Sequence, residues 1–474
     1  MKLSTIQASL TELGMQPTRS LGQNFLHDQN LAEWIVAQLD LKPDEPWVEL
    51  GPGLGALTEF ALARSPHGLV IEKDGRLAGF LRERYPALEV VHGDAGEFDV
   101  RELFARGPVK VLGNLPYYIS SQILFGFTSE PSPVSTLIFT LQRELAERLS
   151  AEPWTKEYGA LTLLVGRRWR VQYLRTLAAR VFMPAPKVDS AVVLLTPRPA
   201  GGMPHCDGER FTRLVKQGFA QRRKQLRKNL ADQHLDWPAL CAHLGVEETT
   251  RAEELSLEQW IALTNFAGPG DLRVLHHSSS SASPARLARA TPWQARAISQ
   301  SATSAQDVHG EIFDVVDAED RVLSQLSRHE VHRQNLLHRA VHIFVFNSRG
   351  DLFLQRRSRW KDTHPLRWDS SAAGHVNAGQ TYAETAPREI EEELGVSATV
   401  EEIAGLPPSQ ATGWEHVRLY RAHHEGPFHL HPAELDGGGF FTLAQIDRWT
   451  AARPQDFATG FLECWRRFRL GAKS

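Results

Sequence analysis

The order of apolar runs in the first third of the chain constrains its fold more than any other feature. Between Trp47 and Leu141, short apolar runs typical of strands alternate with helical patterns. The runs predict strands at 48–50, 69–71, 88–91, 109–112 and 136–141, and helices over 57–63 and 77–84. This alternation predicts a doubly wound α/β sheet with mainly parallel strands. Such sheets bind ligands beyond the carboxyl ends of their strands.

Candidate binding residues follow four of these predicted strands. A glycine loop containing Gly51 follows the first, Glu72 the second, Asp94 the third and Asn114 the fourth. The loop lacks the G-x-G-x-x-G spacing of a nicotinamide site. Glu72 lies where an acid accepts ribose hydroxyls, and Asp94 is placed to accept from an adenine amino group. Singly, Glu72 is equally a surface acid and Asp94 a helix N-cap, but the ordered set favours S-adenosylmethionine.

The tetrapeptide Asn114-Leu115-Pro116-Tyr117 indicates the reaction. The Asn114 side-chain oxygen and the Leu115 carbonyl can accept the two N–H bonds of an adenine amino group. This arrangement aims the nitrogen lone pair at a methyl group, and in-line positioning then suffices without a strong base. Tyr117 can stack on a base that is splayed out of its helix. A plain Asn–Pro turn is the alternative for this tetrapeptide.

The pattern becomes helical after about residue 204, and a basic run follows from Gln221 to Lys228. The cations Arg222, Arg223, Lys224 and Arg227 are predicted to hold RNA phosphates, whatever the RNA sequence. A solvated helix face is the alternative. The net charge of −3 does not itself indicate a nucleic-acid binder, so this role depends on the local basic run. Residues 271–308 are rich in Ser, Ala, Thr, Gln and Arg and are predicted to form a flexible linker.

Five motifs together resemble the rRNA adenine N6-dimethyltransferase family, in its bacterial small-subunit branch. They are Gln23-Asn24-Phe25-Leu26, residues 49–55, the tetrapeptide, Gln142-Arg143-Glu144 and residues 182–190, within roughly 15–267. The resemblance implies dimethylation of two adjacent adenines in the 3′-terminal hairpin of 16S rRNA, within the immature small subunit. It implies that S-adenosylmethionine is contacted by Asn24, Leu26, Gly51, Glu72, Asp94 and Asn114, and that Phe182 stacks on the target adenine opposite Tyr117.

Two alternatives stay open for this half of the chain. One is the 23S rRNA branch of the same family, which confers macrolide resistance. The other is an assembly factor that binds pre-ribosomes without catalysis. The chain has no apolar run of membrane-spanning length, no secretory leader pattern and only scattered cysteines, so we expect a cytoplasmic protein.

The second half carries separate chemistry. Glu389, Glu392 and Glu393 are spaced so that their carboxylates share one helical face. Three acids together favour a compensating cation, and oxygen ligands suit Mg2+ or Mn2+. A bare acidic helix would not explain the glycine loop at 374–380 that precedes them.

Residues 374–396 are similar to the Nudix box, G-x5-E-x7-R-E-U-x-E-E-x-G-U with U aliphatic, except that Gln380 replaces the first Glu. The wider region resembles Nudix hydrolases related to isopentenyl-diphosphate isomerase. The isomerase cysteine would fall near Ala372 or Ala373, and its absence disfavours isomerisation. The resemblance implies metal-dependent hydrolysis of a small diphosphate substrate, with metal binding weakened by Gln380. The alternative is a Nudix fold kept as a binding module.

The predicted organisation therefore has four parts. A doubly wound, Rossmann-like α/β methyltransferase domain occupies 1–203, and a small α-helical rRNA-binding domain occupies 204–270. The flexible linker at 271–308 then leads to an α+β Nudix hydrolase domain at 309–474.

Overall fold

The structure is a computed structural model that describes residues 2–17, 22–199, 203–204, 206–266, 311–361, 363–431 and 434–471. The chain divides into two compact units, Met1–Ser279 and Ser280–Ser474. The predicted linker at 271–308 lies outside the described residues. No described helix has both the length and the apolar character needed to cross a membrane.

The first unit contains the predicted alternation of strands and helices. Its strands are β1 (Phe25–Leu26), β2 (Trp47–Leu50), β3 (Gly68–Glu72), β4 (Glu89–His92), β5 (Val109–Asn114), β6 (Val134–Gln142), β7 (Trp169–Leu177), β8 (Phe182–Met183) and β9 (Ser190–Pro197). Its α-helices are α1 (Leu3–Glu12), α2 (Gln29–Ala37), α3 (Thr58–Leu62), α4 (Gly75–Arg84), α5 (Ser120–Thr128), α6 (Arg143–Leu149), α7 (Ala160–Gly166), α8 (Gly208–Gly218), α9 (Leu226–Asn229), α10 (Trp237–Leu244) and α11 (Leu257–Phe266).

The main sheet of this unit has the order β4-β3-β2-β5-β6-β9-β7. Its pairs are parallel from β4 through β6, and β9 and β7 are added antiparallel. This confirms the predicted doubly wound α/β fold. The chain runs outward from β2 to β4 and then returns to place β5 on the other side of β2. A crevice is expected at this reversal, beyond the carboxyl ends of β2 and β5.

Alternate side chains of the central strands enter two separate cores. Val111 belongs to the core on one face, and its neighbour Leu112 belongs to the core on the other. Every residue of β2 is buried, because helices cover both faces of the sheet. The loops at the carboxyl ends therefore leave strands that are packed on both faces.

Helices α8 to α11 enclose a core of their own. Helix α8 has one apolar face, on which Phe211, Leu214 and Val215 are all fully buried. They pack with Trp260 of α11 in one cluster. Phe219, just after α8, is partly buried against the same cluster.

The second unit is α+β, as predicted. Its strands are β10 (Ile312–Val316), β11 (Val322–Ser327), β12 (His338–Phe346), β13 (Leu352–Arg357), β14 (Trp368–Asp369), β15 (Ala372–His375), β16 (Val400–Leu406), β17 (Glu415–His423) and β18 (Leu435–Phe441). Its α-helices are α12 (Arg328–Gln334), α13 (Tyr382–Leu394), α14 (Leu443–Ala452) and α15 (Thr459–Gly471).

The large sheet of this unit runs β14-β13-β12-β17-β16, with β15 added to β12 and β18 to β13. Strands β12 and β13 form a hairpin, and its turn closes with a bond from the Gly350 N–H to the Asn347 carbonyl. The predicted acidic helix is α13. Thr381 and Glu384 cap its start reciprocally, and Gly395 ends it in a left-handed conformation.

Candidate functional site

One pocket lies at the reversal of strand order in the first unit. It brings together all six residues predicted to contact the cofactor, which are Asn24, Leu26, Gly51, Glu72, Asp94 and Asn114. These residues come from the segment at β1 and from the ends of β2, β3, β4 and β5. Ile6 of α1 also lines the pocket, although its side chain is fully buried.

The glycine loop closes directly onto Glu72. The Gly53 N–H donates to one carboxylate oxygen over 3.0 Å, and the Asp74 N–H donates to the other over 2.8 Å. Gly53 has φ +58°, and a Cβ there would lie 2.9 Å from the Phe25 ring, so a side chain has no room. Burial raises the pKa of Glu72, and the two N–H donors oppose that rise. The carboxylate is thus fixed in place without a cation.

A second acid, Glu49, lies in the same pocket and is fully buried. The Thr58 hydroxyl donates to its carboxylate over 2.5 Å. Burial raises the pKa of Glu49 to about 8. Sequence analysis placed Glu49 in the motif at residues 49–55 but gave it no role. The one sequence signal for a role is an acidic residue within an apolar strand.

Asp94 is held at the pocket wall by charge and by backbone. Lys73 donates to it over 2.6 Å, and the Gly96 N–H donates over 2.8 Å. Burial would raise the pKa of Asp94, but these two bonds outweigh it and keep the pKa below its ordinary value. Asp94 therefore faces the pocket as an anion.

The tetrapeptide is tied to two distant motifs. The Asn114 amide nitrogen donates to the Asn24 carbonyl over 2.8 Å, so the side-chain oxygen keeps its capacity to accept from a ligand. The Tyr117 hydroxyl lies 2.6 Å from Ser190 Oγ, at the start of β9. Leu115 is buried, and its N–H donates to the Thr140 carbonyl. The motifs at 23–26, 114–117 and 182–190 therefore form one assembly.

Phe182, which the resemblance implies stacks on the target adenine, is buried in the structure. Its ring is only 3% exposed and packs in the core with Leu26 and Val192. This follows from the pairing of β1 with β8, which sets Phe182 opposite Leu26. Stacking of Phe182 on the target adenine opposite Tyr117 stays a prediction.

The basic run is not one solvated helix. Arg222 donates to the Thr155 carbonyl over 2.9 Å and forms an ion pair with Glu253. Arg227 pairs with Glu248 over 3.0 Å. Arg223 and Lys224 are exposed, and these two are the cations of the predicted set best placed to meet phosphates.

A cleft of about 1450 Å³ in the second unit brings together the three predicted metal ligands, Glu389, Glu392 and Glu393. Glu389 and Glu393 are buried, whereas Glu392 is exposed. Burial and the nearby Glu393 raise the pKa of Glu389 to about 8. A Cβ on Gly374 would fall 2.1 Å from the Glu389 carboxyl carbon, so the glycine loop is what admits this carboxylate.

Cations and neutral donors both lie close to the acids of the cleft, and Lys361 opposes the rise that burial produces in the pKa of Glu393. Arg388 lies 2.8 Å from both Glu389 and Glu392. Glu393 instead accepts from Gln355 Nε2 over 3.0 Å and from the Ala373 N–H over 3.1 Å. These hard oxygen donors, two of them buried, fit a divalent cation such as Mg2+ or Mn2+.

Gln380 lies outside the lining of this cleft. Its N–H donates to the Asn377 carbonyl, and its side-chain oxygen is buried without a hydrogen-bond partner. The position gives no support to a direct weakening of metal binding by Gln380, which stays a prediction.

Sequence analysis missed a histidine cluster at the edge of this cleft, whose lining includes His332 and His375. The candidate ligand nitrogens of His332, His338 and His375 lie within 4.8 Å of one another. Glu415 lies 3.1 Å from His375 Nε2 and 3.6 Å from His338 Nε2. This set could also hold a metal. Because its members lie on four separate elements, α12, β12, β15 and β17, no spacing along the sequence predicts the set.

Comparison with known proteins identifies both units. The family model for ribosomal RNA adenine dimethylase matches residues 14–268, more than half of the chain, and the chain therefore belongs to that family. Members of this family use S-adenosylmethionine. The model for the NUDIX domain matches residues 336–458, so the chain joins a dimethylase unit to a C-terminal NUDIX domain.

Individual relatives match the first unit. The ribosomal RNA small subunit methyltransferase A of Myxococcus xanthus is 42% identical over 262 residues, which cover 54% of this chain and 93% of that protein. The protein of the same name from Prosthecochloris aestuarii is 40% identical over 267 residues, covering 56% and 99%. A crystal structure of the 23S rRNA methyltransferase ErmE is 27% identical, covers 52% of this chain and 99% of that one, and has a TM-score of 0.44.

Proposed function

We propose that the first unit transfers methyl groups to N6 of two adjacent adenines in small-subunit rRNA, during assembly of that subunit in the cytoplasm. The convergence of the predicted cofactor residues on one pocket carries this proposal. The small-subunit relatives support the choice of subunit. The 3′-terminal hairpin comes from the motif resemblance, and a target in 23S rRNA is the competing assignment.

The residues act by holding reactants rather than by strong acid–base chemistry. Glu72 presents fixed carboxylate oxygens to ribose hydroxyls, and Asp94 presents an anion to an adenine amino group. Bound S-adenosylmethionine supplies an electrophilic methyl group. The Asn114 oxygen and the Leu115 carbonyl accept the N–H bonds of the target amine, which directs its lone pair toward that group.

The test is methylation of small subunits that lack the modification, with large subunits as the competing substrate. We expect Asn114→Ala to lower the rate about 100- to 1000-fold, the cost of losing one aligned polar contact to the reacting group. Asn265→Ala removes an exposed amide from α11 and serves as the matched control. Wild-type rates in Asn114→Ala would contradict the role of this amide, and methylation of the large subunit alone would favour the 23S assignment.

We propose further that the NUDIX domain hydrolyses a small diphosphate compound with the help of a divalent metal. The two buried acids beside Gly374 carry this proposal. Glu389, Glu392 and Glu393 would hold the metal, and Arg388 orients two of these carboxylates. The bound metal supplies neutralisation of the diphosphate and activation of water.

A screen of nucleoside diphosphate compounds with the full chain, with and without Mg2+, tests this activity. We expect Glu393→Gln to lower hydrolysis at least about 100-fold, because it removes a ligand charge with little change in volume. Glu391→Gln changes an exposed neighbour on the same helix and should leave the rate unchanged. Wild-type binding of a diphosphate with no metal-dependent turnover would instead favour a binding module.

A further inference from the structure

Trp154 combines two unfavourable features that core packing does not explain. Its side chain is 74% exposed, and its backbone has φ +70°. A bulky residue rarely adopts this left-handed conformation, and an exposed indole gains nothing from burial. Strain of this kind persists where the surroundings impose it, often at functional positions.

The segment around Trp154 is anchored to the helical part of the first unit at three points. The Trp154 N–H donates to the Glu253 carbonyl over 2.9 Å. The Thr155 carbonyl accepts from Arg222 over 2.9 Å, and the buried Tyr158 hydroxyl donates to the Leu255 carbonyl over 2.8 Å. The backbone is therefore fixed while the indole projects into solvent.

A basic turn is joined to this segment through Arg222. Arg222, which holds the segment, is followed directly by the exposed Arg223 and Lys224. Neither forms an ion pair within the described part of the chain. The acids Glu152 and Glu157 flank Trp154 in sequence, so the neighbouring basic turn, rather than the segment itself, supplies positive charge.

We propose that Trp154 is a stacking platform for one unpaired base of the RNA substrate, while Arg223 and Lys224 hold the adjoining phosphates. This inference rests on the proposed action on rRNA. A flat aromatic face beside cations is the usual arrangement for binding single-stranded nucleic acid, and a fixed ring loses little entropy on stacking. A protein partner fits less well, because the exposed neighbours Thr155 and Lys156 are polar and form no apolar patch around the ring.

Trp154→Gly distinguishes a binding role from a structural one, because it should weaken RNA binding without lowering the stability of the fold. Glycine accepts the left-handed backbone, so the melting temperature should rise or stay level. The missing ring should raise the KM for small subunits, and the Kd for a single-stranded RNA oligonucleotide, about tenfold. Trp154→Phe keeps an aromatic face and should restore most of the binding. Phe125→Ala removes another exposed aromatic side chain of the first unit and serves as the control.

The salt dependence of the Kd distinguishes the contribution of the Trp154 ring from that of the two cations. Replacing both Arg223 and Lys224 with Gln should reduce the slope of log Kd against log salt, whereas Trp154→Gly should leave that slope unchanged. An unchanged KM and Kd in Trp154→Gly, with an active wild type, would overturn the stacking role. If the wild type binds RNA without methylating the small subunit, the proposed reaction fails, and the oligonucleotide Kd still decides the role of Trp154. Absence of RNA binding by the wild type overturns both.

Discussion

The pocket of the first unit and the cleft of the second each bury two glutamates, but they compensate the charge differently. In the pocket, Glu72 is held by backbone N–H groups and Glu49 by a hydroxyl. In the cleft, Glu389 has a raised pKa despite its contact with Arg388, and Glu393 lies close by. The pKa of Glu49 is raised to the same extent as that of Glu389, so the difference lies in the neighbours. The pocket glutamates contact neutral donors, which suits an organic ligand, whereas the acids of the cleft are clustered on one helix, which suits a divalent cation.

Of the three effects that compare the two sites, the largest is expected in the cleft, where the Glu389 carboxylate lies against Gly374. Gly374→Ala would place a methyl group 2.1 Å from the Glu389 carboxyl carbon, so the carboxylate must move. Displacement of about 1 Å at a catalytic group lowers rates about 100-fold, and we expect that loss in diphosphate hydrolysis. Methylation of rRNA in the same chain is the internal reference.

Gly437→Ala is the matched control, since a Cβ there meets nothing within 4 Å. If both alanine variants hydrolyse at the wild-type rate, the glycine loop does not set the position of Glu389.

A smaller effect is expected in the pH dependence of stability, which depends on the buried Glu49 of the pocket. The pKa of Glu49 is about 8 in the folded chain and 4.5 in the reference state, so the folded state binds more protons between these values. Stability should therefore be full below about pH 4.5 and fall as pH rises through about 8, by a few kcal/mol at most. Glu49→Gln keeps a bonding group for Thr58 and should flatten this dependence.

Hydrogen exchange of β2 and α3 at pH 5 and pH 8 measures this change within the first unit. Mg2+ should not alter it, because Glu49 is held by the neutral Thr58 hydroxyl. An equal pH dependence in Glu49→Gln and the wild type would show that another group controls it.

The smallest effect concerns Asp94. Asp94→Asn removes the charge that pairs with Lys73 and weakens one acceptor in the pocket. We expect the Kd for S-adenosylmethionine to rise about tenfold, the usual value of one charged hydrogen bond. Calorimetry on the full chain measures this Kd.

Asp44→Asn alters an exposed acid of the same unit and should leave cofactor binding unchanged. Equal affinities for the two variants would remove Asp94 from the cofactor site.

The sequence predicted best where one short stretch determines both structure and chemistry. The strand that ends in Glu72 was predicted close to its observed bounds, and Glu389 was correctly predicted to lie on a helix, since periodicity along the chain is a local signal. The positions of Phe182 and His338 were not predictable in this way. Phe182 is buried by a pairing with β1 across the unit, and His338 meets its neighbours only after four separate elements assemble.

The pairing of β1 with β8 also bears on how two methyl groups reach one adenine. Leu26 lines the cofactor pocket, and its strand partner Phe182 belongs to the motif expected to meet the target base. Coupling between two binding events is reciprocal. If an adenine that displaces Phe182 changes the affinity for the cofactor, the bound cofactor changes the affinity for that adenine by the same factor. Dimethylation requires the spent cofactor to be exchanged between transfers. We expect this short ladder to help decide whether the RNA stays bound during that exchange, and hence whether the reaction is processive.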